Sequence, residues 1–204
     1  NYHSVTAKLY TDLSYFTCDP VLCSDTAKLF NFMTGYATPT TLEKLAIAPI
    51  NLRETLYGLI DAEIANAETG KPAAIWAKMN ALVDQDMIDR LYTASQAGVK
   101  ITLIIRGICS LIPGIEGLSE NIEVRSIVGR FLEHARIYAF ANGEKLPSRN
   151  AKLYMASADM MTRNLDYRIE ALIPIENPTV HQQVLDQLLQ ANIKDTMKSW
   201  VMQP

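Results

Sequence analysis

Short apolar segments alternate with helical segments between residues 45 and 105, and this alternation restricts the fold more than any other feature. The run over residues 99–105 is the most β-branched in the chain and lies between turn signals, as is typical of a central parallel strand. Residues 73–79 predict a strand covered on both faces, and residues 45–48 predict a short one. Strands that alternate with helices predict an α/β domain with a sheet flanked by helices.

The two helical segments have clear end signals. Asn51 followed by Glu54 forms a capping-box pattern, and Gly70 ends that helix. Its apolar face comprises Leu52, Leu56, Leu59, Ile60 and Ile64. Asp84 predicts the cap of the second helix, which Gly98 ends.

The flanking sequence predicts further elements and one boundary. Strands are predicted over residues 13–17, 122–126, 131–140, 152–156 and 169–174. Helices are predicted over residues 24–33, 179–189 and 193–202. Small, β-branched and proline residues over 35–42 are typical of a linker and favour a domain boundary there.

The positive charge is concentrated in the second half of the chain. Seven of the nine arginines lie between residues 99 and 168, although the whole chain carries a net charge of −3. Guanidinium groups match the oxygens of carboxylates and phosphates, so this stretch favours an anionic ligand. Solvated surface arginines are the alternative. Generic nucleic-acid binding is disfavoured, because the chain is acidic and has no basic run with interleaved aromatic residues.

Cysteine content and hydropathy indicate the compartment. The chain has three cysteines and no Cys-x-x-Cys pair, which favours reduced thiols in a cytoplasmic protein and disfavours a zinc site. No apolar run approaches the ~20 residues of a membrane span, and no signal peptide is recognisable. Because Asn1 takes the place of an initiator methionine, we expect a piece of a longer protein.

His134 lies in an apolar segment with Arg136 two residues after it. In one continuous strand, alternate side chains share a face, so His134, Arg136 and Tyr138 are expected to point the same way. Imidazole exchanges a proton near neutral pH and arginine can hold phosphoryl oxygens, which suits phosphate chemistry. A hydrogen-bonded core histidine is the alternative.

Two more cations lie at the ends of predicted parallel strands. Arg106 follows the strand over 99–105, and Lys78 is near the end of the strand over 73–79. Ligands of open α/β sheets bind beyond these carboxyl ends, which makes both residues site candidates. Long side chains that extend from a sheet edge into solvent are the alternative.

Two distant segments align without gaps. Residues 1–12 and 159–170 pair Ser4 with Thr162 and Asp12 with Glu170, and each segment then enters an apolar stretch. A match this short is weak, but it suggests two similar halves, the first of them mostly upstream of Asn1.

Several long motifs, in the same order along the chain, resemble the C-terminal region of bacterial polyphosphate kinases of the large two-histidine type. The segments are Arg106-Gly-Ile-Cys-Ser-Leu, Leu118-Ser-Glu-Asn, the run over residues 126–138, the run over 157–166, Asn51-Leu-Arg-Glu, the run over 77–84 and the run over 6–12. The resemblance implies two phospholipase D-like α/β domains. Residues 1–43 would be the C-terminal part of the first, incomplete domain, and residues 44–204 the second.

The resemblance also implies a reaction and its site. The family moves the terminal phosphoryl group of ATP reversibly onto polyphosphate through a phosphohistidine. Carried over by motif, Tyr10, Arg106 and His134 would contact ATP, and His134 would be the companion histidine that acts as acid or base. We regard Arg163, Arg136 and Lys78 as further phosphate contacts.

The chain departs from the family pattern in three respects. The nucleophilic histidine of a His-Ala-Lys segment is absent, and of a His-x-Gly-Thr-Gly-Asn motif only Asn1 remains. Met160 stands where the family usually has tryptophan. The arginines linked to Mg²⁺ and the N-terminal helical domain would lie outside this chain. We therefore expect the chain by itself to be inactive and to need those upstream domains. A homo-oligomer and peripheral membrane association are compatible with the sequence.

Two other functions remain open. A phospholipase D-like phosphodiesterase would need His-x-Lys-(x)4-Asp, whereas Arg136 replaces the lysine and Ala141 the aspartate. A non-catalytic nucleotide-binding or assembly module is the other alternative, with the helices after Thr179 as its docking elements.

Overall fold

The N-terminal segment is an extended arm with one helix. A computed structural model describes residues 3–39 and 41–204, so Asn1 lies outside the described residues. A single 3-10 turn (Thr6–Lys8) precedes strand β1 (Tyr10–Thr11), and helix α1 (Pro20–Met33) follows. The α1 helix begins four residues before the predicted start, because Asp19 caps the backbone N–H groups of Val21 and Leu22.

An eight-stranded mixed sheet forms the body of the molecule. Its strands are β2 (Ala46–Ala48), β3 (Ala74–Met79), β4 (Lys100–Ile105), β5 (Ile122–Ile127), β7 (Arg136–Phe140), β8 (Lys152–Ala156), β9 (Glu170–Pro174) and β10 (Ser199–Val201). A short strand, β6 (Leu132–Glu133), lies outside this sheet. The order across the sheet is β10-β5-β4-β3-β7-β8-β9-β2. The strands β3, β4 and β5 are parallel, and every other neighbouring pair in this sheet is antiparallel. The α/β class predicted from the alternation is confirmed.

Helices cover both faces of the sheet. One face packs against α2 (Leu52–Glu68) and α3 (Gln85–Gln96), whose apolar side chains form the larger core with β3, β4 and β5. The other face packs against a continuous helical stretch that consists of α4 (Pro178–Gln183), a π-helical segment (Val184–Gln190) and α5 (Ala191–Lys194). Burial on two faces explains the largely apolar sequences of β3 and β4.

Three predicted elements differ from the structure. Of the helix predicted over residues 193–202, only Ile193 and Lys194 are helical, at the end of α5, because β10 pairs antiparallel with β5 at the edge of the sheet. Residues 13–17 contain no strand, and the strand of this region is β1 instead. The predicted capping box of α2 is not formed, since Asn51 Oδ1 accepts the Ile47 N–H at 2.8 Å.

The predicted strand over residues 131–140 is interrupted at His134 and Ala135. The first part, β6, leaves the sheet and pairs in parallel with β1, whereas β7 enters the sheet beside β3. The backbone N–H of His134 donates to Thr11 at 2.9 Å, which attaches the histidine to the N-terminal arm. The expected common face is therefore interrupted, and Tyr138 is buried in the core while His134 is partly exposed.

Within the described residues, no helix has both the length and the apolar character that a membrane span requires. The proposed boundary between residues 43 and 44 stays a prediction.

Candidate functional site

A cleft of about 620 Å³ opens beside the carboxyl end of β3. The antiparallel β7 begins at this edge, because Ile137 pairs with Lys78 and Arg136 comes one position further. The end of β8 and the start of β9 complete the wall. The charged or titratable side chains lining the cleft are Asp12, His134, Arg136, Tyr15, Asp159, Arg163, Arg168 and Glu170.

His134 contacts two residues of the N-terminal arm. Its Nδ1 lies 2.9 Å from Asp12 Oδ2, and its ring makes an edge-to-face contact with Tyr10 at 5.5 Å between centroids. Burial would raise the pKa of Asp12, but the His134 ring and the Leu13 N–H hold that pKa below its usual value. The imidazole side chain is 30% exposed, so it is accessible from the cleft and is not a core histidine.

Arg136 lies between His134 and a buried carboxylate. Its Nε and Nη2 donate to the two oxygens of Asp159 at 3.1 Å each, and its Nη1 donates to the His134 carbonyl at 3.0 Å. The same Nη1 lies 3.3 and 3.4 Å from the two ring nitrogens of His134. Asp159 Oδ1 also accepts the Asn80 N–H at 2.7 Å, which attaches the pair to the end of β3. This bidentate pair holds a cation beside the imidazole.

Arg163 and Arg168 also line the cleft; Arg163 begins a π-helical turn (Arg163–Tyr167) and Arg168 directly follows it. Both side chains are exposed, and neither makes an ion pair among residues 3–39 and 41–204. The third acid of the cleft, Glu170, accepts short hydrogen bonds from Ser157 and Asn164. Because each acid is engaged with a neighbouring side chain, Arg163 and Arg168 are the guanidinium groups available to an anion.

The other two predicted cations lie outside the lining of this cleft. Lys78 is 3% exposed, and its Nζ donates to Glu133 at 2.5 Å and to Asn192 at 2.7 Å. Arg106 follows β4 as predicted, with its Nη1 buried and without a hydrogen-bond partner among the described residues. The structure thus brings Tyr10, His134, Arg136 and Arg163 together and keeps Lys78 apart.

Five of the charged or titratable side chains of the cleft were not predicted as site residues: Asp12, Tyr15, Asp159, Arg168 and Glu170. The alignment of residues 1–12 with 159–170 paired Asp12 with Glu170, and both side chains line the cleft. That pairing was therefore the available signal for two of them. Asp159 follows Arg136 by 23 residues, and only the pairing of β7 with β8 brings the two together.

The residues of the phosphodiesterase alternative do not form a comparable site. Arg136, at the lysine position, is bound by Asp159, and Ala141, at the aspartate position, is fully buried. Because Ala141 stands at the aspartate position, the motif has no carboxylate there.

Two family models together match nearly the whole chain. The model described as polyphosphate kinase C-terminal domain 2 matches residues 45–204, and the one described as C-terminal domain 1 matches residues 1–39. Polyphosphate kinases of Erythrobacter litoralis and Escherichia coli are 64% and 46% identical over 100% and 98% of the chain. The chain spans 28% of the length of each of these two relatives.

Solved structures lead to the same assignment. A polyphosphate kinase from Porphyromonas gingivalis has a similar structure, with a TM-score of 0.93 and 36% sequence identity. The match covers all of this chain and 30% of the length of that kinase. A Salmonella typhimurium phospholipase D family member, Nuc, shares the fold with a TM-score of 0.51 and 11% identity, over 79% of this chain and 97% of its own. The predicted phospholipase D-like sheet is thus confirmed. Because the domain 2 model covers more than half of its residues, the chain belongs to the polyphosphate kinase C-terminal domain family.

Proposed function

We propose that the chain is the ATP- and polyphosphate-binding part of an enzyme that transfers the terminal phosphoryl group of ATP reversibly to polyphosphate. The observation that carries this proposal is the convergence of His134 with three arginines on one cleft. Phosphoryl transfer requires mainly positioning and positive charge around oxygens whose negative charge spreads in the transition state. The cleft supplies both.

His134 is the acid–base group in this proposal. Its 2.9 Å contact with Asp12 favours a proton on Nδ1 and fixes the ring, an assignment that follows from the geometry. The other nitrogen, Nε2, then exchanges a proton with the reacting phosphoryl oxygens. Arg136 keeps a positive charge within 3.4 Å of that nitrogen.

Arg163 and Arg168 bind phosphate oxygens in this proposal, with Arg136 as a further contact. Their exposed guanidinium groups can each form paired hydrogen bonds with a phosphate. Tyr10, whose ring contacts His134, and Arg106, which lies outside the lining of the cleft, contact ATP in this proposal. The buried, partnerless Nη1 of Arg106 supports this role, because such a group costs about 1–3 kcal/mol unless a ligand or water satisfies it.

The nucleophile and the metal ligands belong to other parts of the protein in this proposal. The phosphohistidine would form on a histidine upstream of residue 1. Residues 3–39 and 41–204 contain no group of three His, Cys, Asp or Glu side chains suited to a metal ion. These residues do not fit a resident Mg²⁺, so Mg²⁺ that accompanies ATP would use ligands elsewhere, and no step assigned to this chain depends on it.

The experiment replaces His134 by alanine in the full-length protein and measures polyphosphate synthesis from ATP and the reverse reaction. We expect both rates to fall about 10²–10⁴-fold, the usual contribution of a general acid–base group. The melting temperature should change little, because the ring is partly exposed. Added imidazole should restore part of the activity if the loss is chemical. Normal activity of a folded His134→Ala variant would refute the proposal.

A further inference from the structure

Arg53 uses its whole guanidinium group in contacts with three other side chains. Its Nε and Nη2 donate to the two oxygens of Asp166 at 2.8 and 2.7 Å. Its Nη1 and Nη2 donate to the two oxygens of Asp84 at 2.8 and 2.9 Å. Nη1 also donates to the Tyr57 hydroxyl at 2.9 Å. These five bonds account for the five N–H groups of arginine.

The two carboxylates bound by Arg53 belong to different parts of the fold. Asp84 caps α3, where it accepts the Met87 N–H at 3.2 Å, and it also accepts the Thr162 hydroxyl at 2.8 Å. Asp166 lies within the π-helical turn (Arg163–Tyr167). Arg53 itself lies in the first turn of α2. One side chain therefore connects α2, the start of α3 and the turn.

The turn has two sides with different partners. Thr162 and Asp166 bind the cluster around Arg53. Arg163, Asn164 and Arg168 line the cleft. The N–H groups of Val83 and Asp84 also donate to the Met160 carbonyl at 3.0 and 3.1 Å, which anchors the chain just before the turn. Arg53 is thus bound, through Asp166, to the turn that contains Arg163 and directly precedes Arg168.

The charged groups of this cluster pair with each other. One guanidinium faces two carboxylates, and the Arg53 and Asp84 side chains are only 17% and 3% exposed. Burial would raise the pKa of Asp84, but bonds from Arg53, Thr162 and Met87 hold it below its usual value. The bonds to Asp84 and Asp166 raise the pKa of Arg53. Both directions favour the charged forms of Asp84 and Arg53.

We propose that Arg53 is a positioning residue for phosphate binding: through Asp166 it holds the turn so that Arg163 and Arg168 present their guanidinium groups to the cleft that His134 also lines. This inference rests on the proposed function, and it concerns a residue that does not line the cleft. A turn that is already held in place avoids the entropy cost of ordering its backbone when polyphosphate binds.

The test uses the full-length protein with Asp166→Asn and Arg53→Lys, and Asp86→Asn as the matched control. Asp86 is 77% exposed and lies 4.0 Å from the same guanidinium, so its loss should leave the turn in place. The dissociation constant of polyphosphate is measured by calorimetry, and kcat is measured with saturating polyphosphate. We expect Asp166→Asn and Arg53→Lys to weaken polyphosphate binding about tenfold, whereas Asp86→Asn changes it less than twofold.

A double-mutant cycle separates positioning from general destabilisation. If Arg53 acts through Arg163, Arg53→Lys should weaken binding about tenfold in the wild type but less than threefold when Arg163→Met is already present. The kcat at saturation should keep its pH dependence, because His134 is untouched. Should Arg53→Lys fail to fold, the same cycle with Asp166→Asn gives the answer.

Two results would overturn the inference. One is a folded Asp166→Asn variant that binds polyphosphate as the Asp86→Asn control does, and the other is full additivity with Arg163→Met. Failure of the proposed function gives a different pattern, in which His134→Ala keeps normal kinase activity and Arg163→Met does not affect polyphosphate binding. The two failures are therefore distinguishable.

Discussion

Arg53 and Arg136 are each bound by an aspartate through two parallel hydrogen bonds, yet their surroundings differ. Arg53 faces two carboxylates and a hydroxyl, so none of its N–H groups is left for another partner. Arg136 faces one carboxylate, Asp159, and directs its remaining nitrogen to His134. The comparison shows that the number of carboxylates around an arginine decides whether it joins elements of the fold or contributes positive charge to a site.

The largest expected effect is the loss of the single carboxylate at Arg136. Asp159→Ala leaves a guanidinium that is only 12% exposed without its acidic partner. We expect the free energy of unfolding to fall by about 3–5 kcal/mol, because an unpaired buried charge is costly. Urea unfolding measures this loss.

Asp166→Ala is the control for that change. Asp166 is 37% exposed, and Arg53 keeps Asp84 after the substitution, so we expect a loss of only about 1 kcal/mol. Equal losses for the two alanine variants would contradict the comparison between the clusters.

A smaller effect with a defined pH dependence is expected at Asp84. Because its pKa is lower in the folded protein than the ordinary aspartate value of 3.8, its ionised form stabilises the fold above that pH. We expect Asp84→Asn to cost about 2 kcal/mol at pH 7, the order expected for a charged hydrogen bond. The difference should shrink as the pH falls through the lowered pKa of Asp84. Urea unfolding between pH 7 and pH 3 measures it, and a difference that grew in acid would show that the sign is wrong.

The smallest effect on stability is expected for the exposed pair at the cleft. Asp12 and His134 are 38% and 30% exposed, so Asp12→Asn should cost less than about 1 kcal/mol of unfolding free energy. Kinase activity of the full-length variant should nevertheless fall about tenfold, because the imidazole loses the carboxylate that orients it. The ratio of these two losses is the measurement. A large loss of stability with normal activity would place Asp12 with the structural cluster of Arg53.

The site was predictable where the signal was local. His134 and Arg136 are two residues apart, and Tyr10 and Arg163 came from family motifs, so these residues were found without coordinates. Lys78 was predicted from the same strand-end rule as Arg106, but its side chain turns to Glu133 and Asn192. A side chain at the end of a strand can point to either face of the sheet, and its position in the sequence does not show which face binds the ligand.

Most errors in the fold concern elements whose hydrogen-bond partners are distant in the chain. Residues 193–202 were predicted to form a helix, but β10 gains its hydrogen bonds from β5, more than seventy residues earlier. The interruption at His134 has the same origin, because β6 pairs with β1, which lies near the start of the chain.

The sequence by itself determined the α/β class, the central strands, the two long helices and the family, because periodicity, helix ends and motifs depend on residues that are close together in the sequence. Only the tertiary structure decided that Asp159 binds Arg136, that Asp12 binds His134, and that Arg53 holds the turn behind Arg163. Such charged pairs are selected by the register and packing of elements far apart in the chain, and no local pattern records those distances.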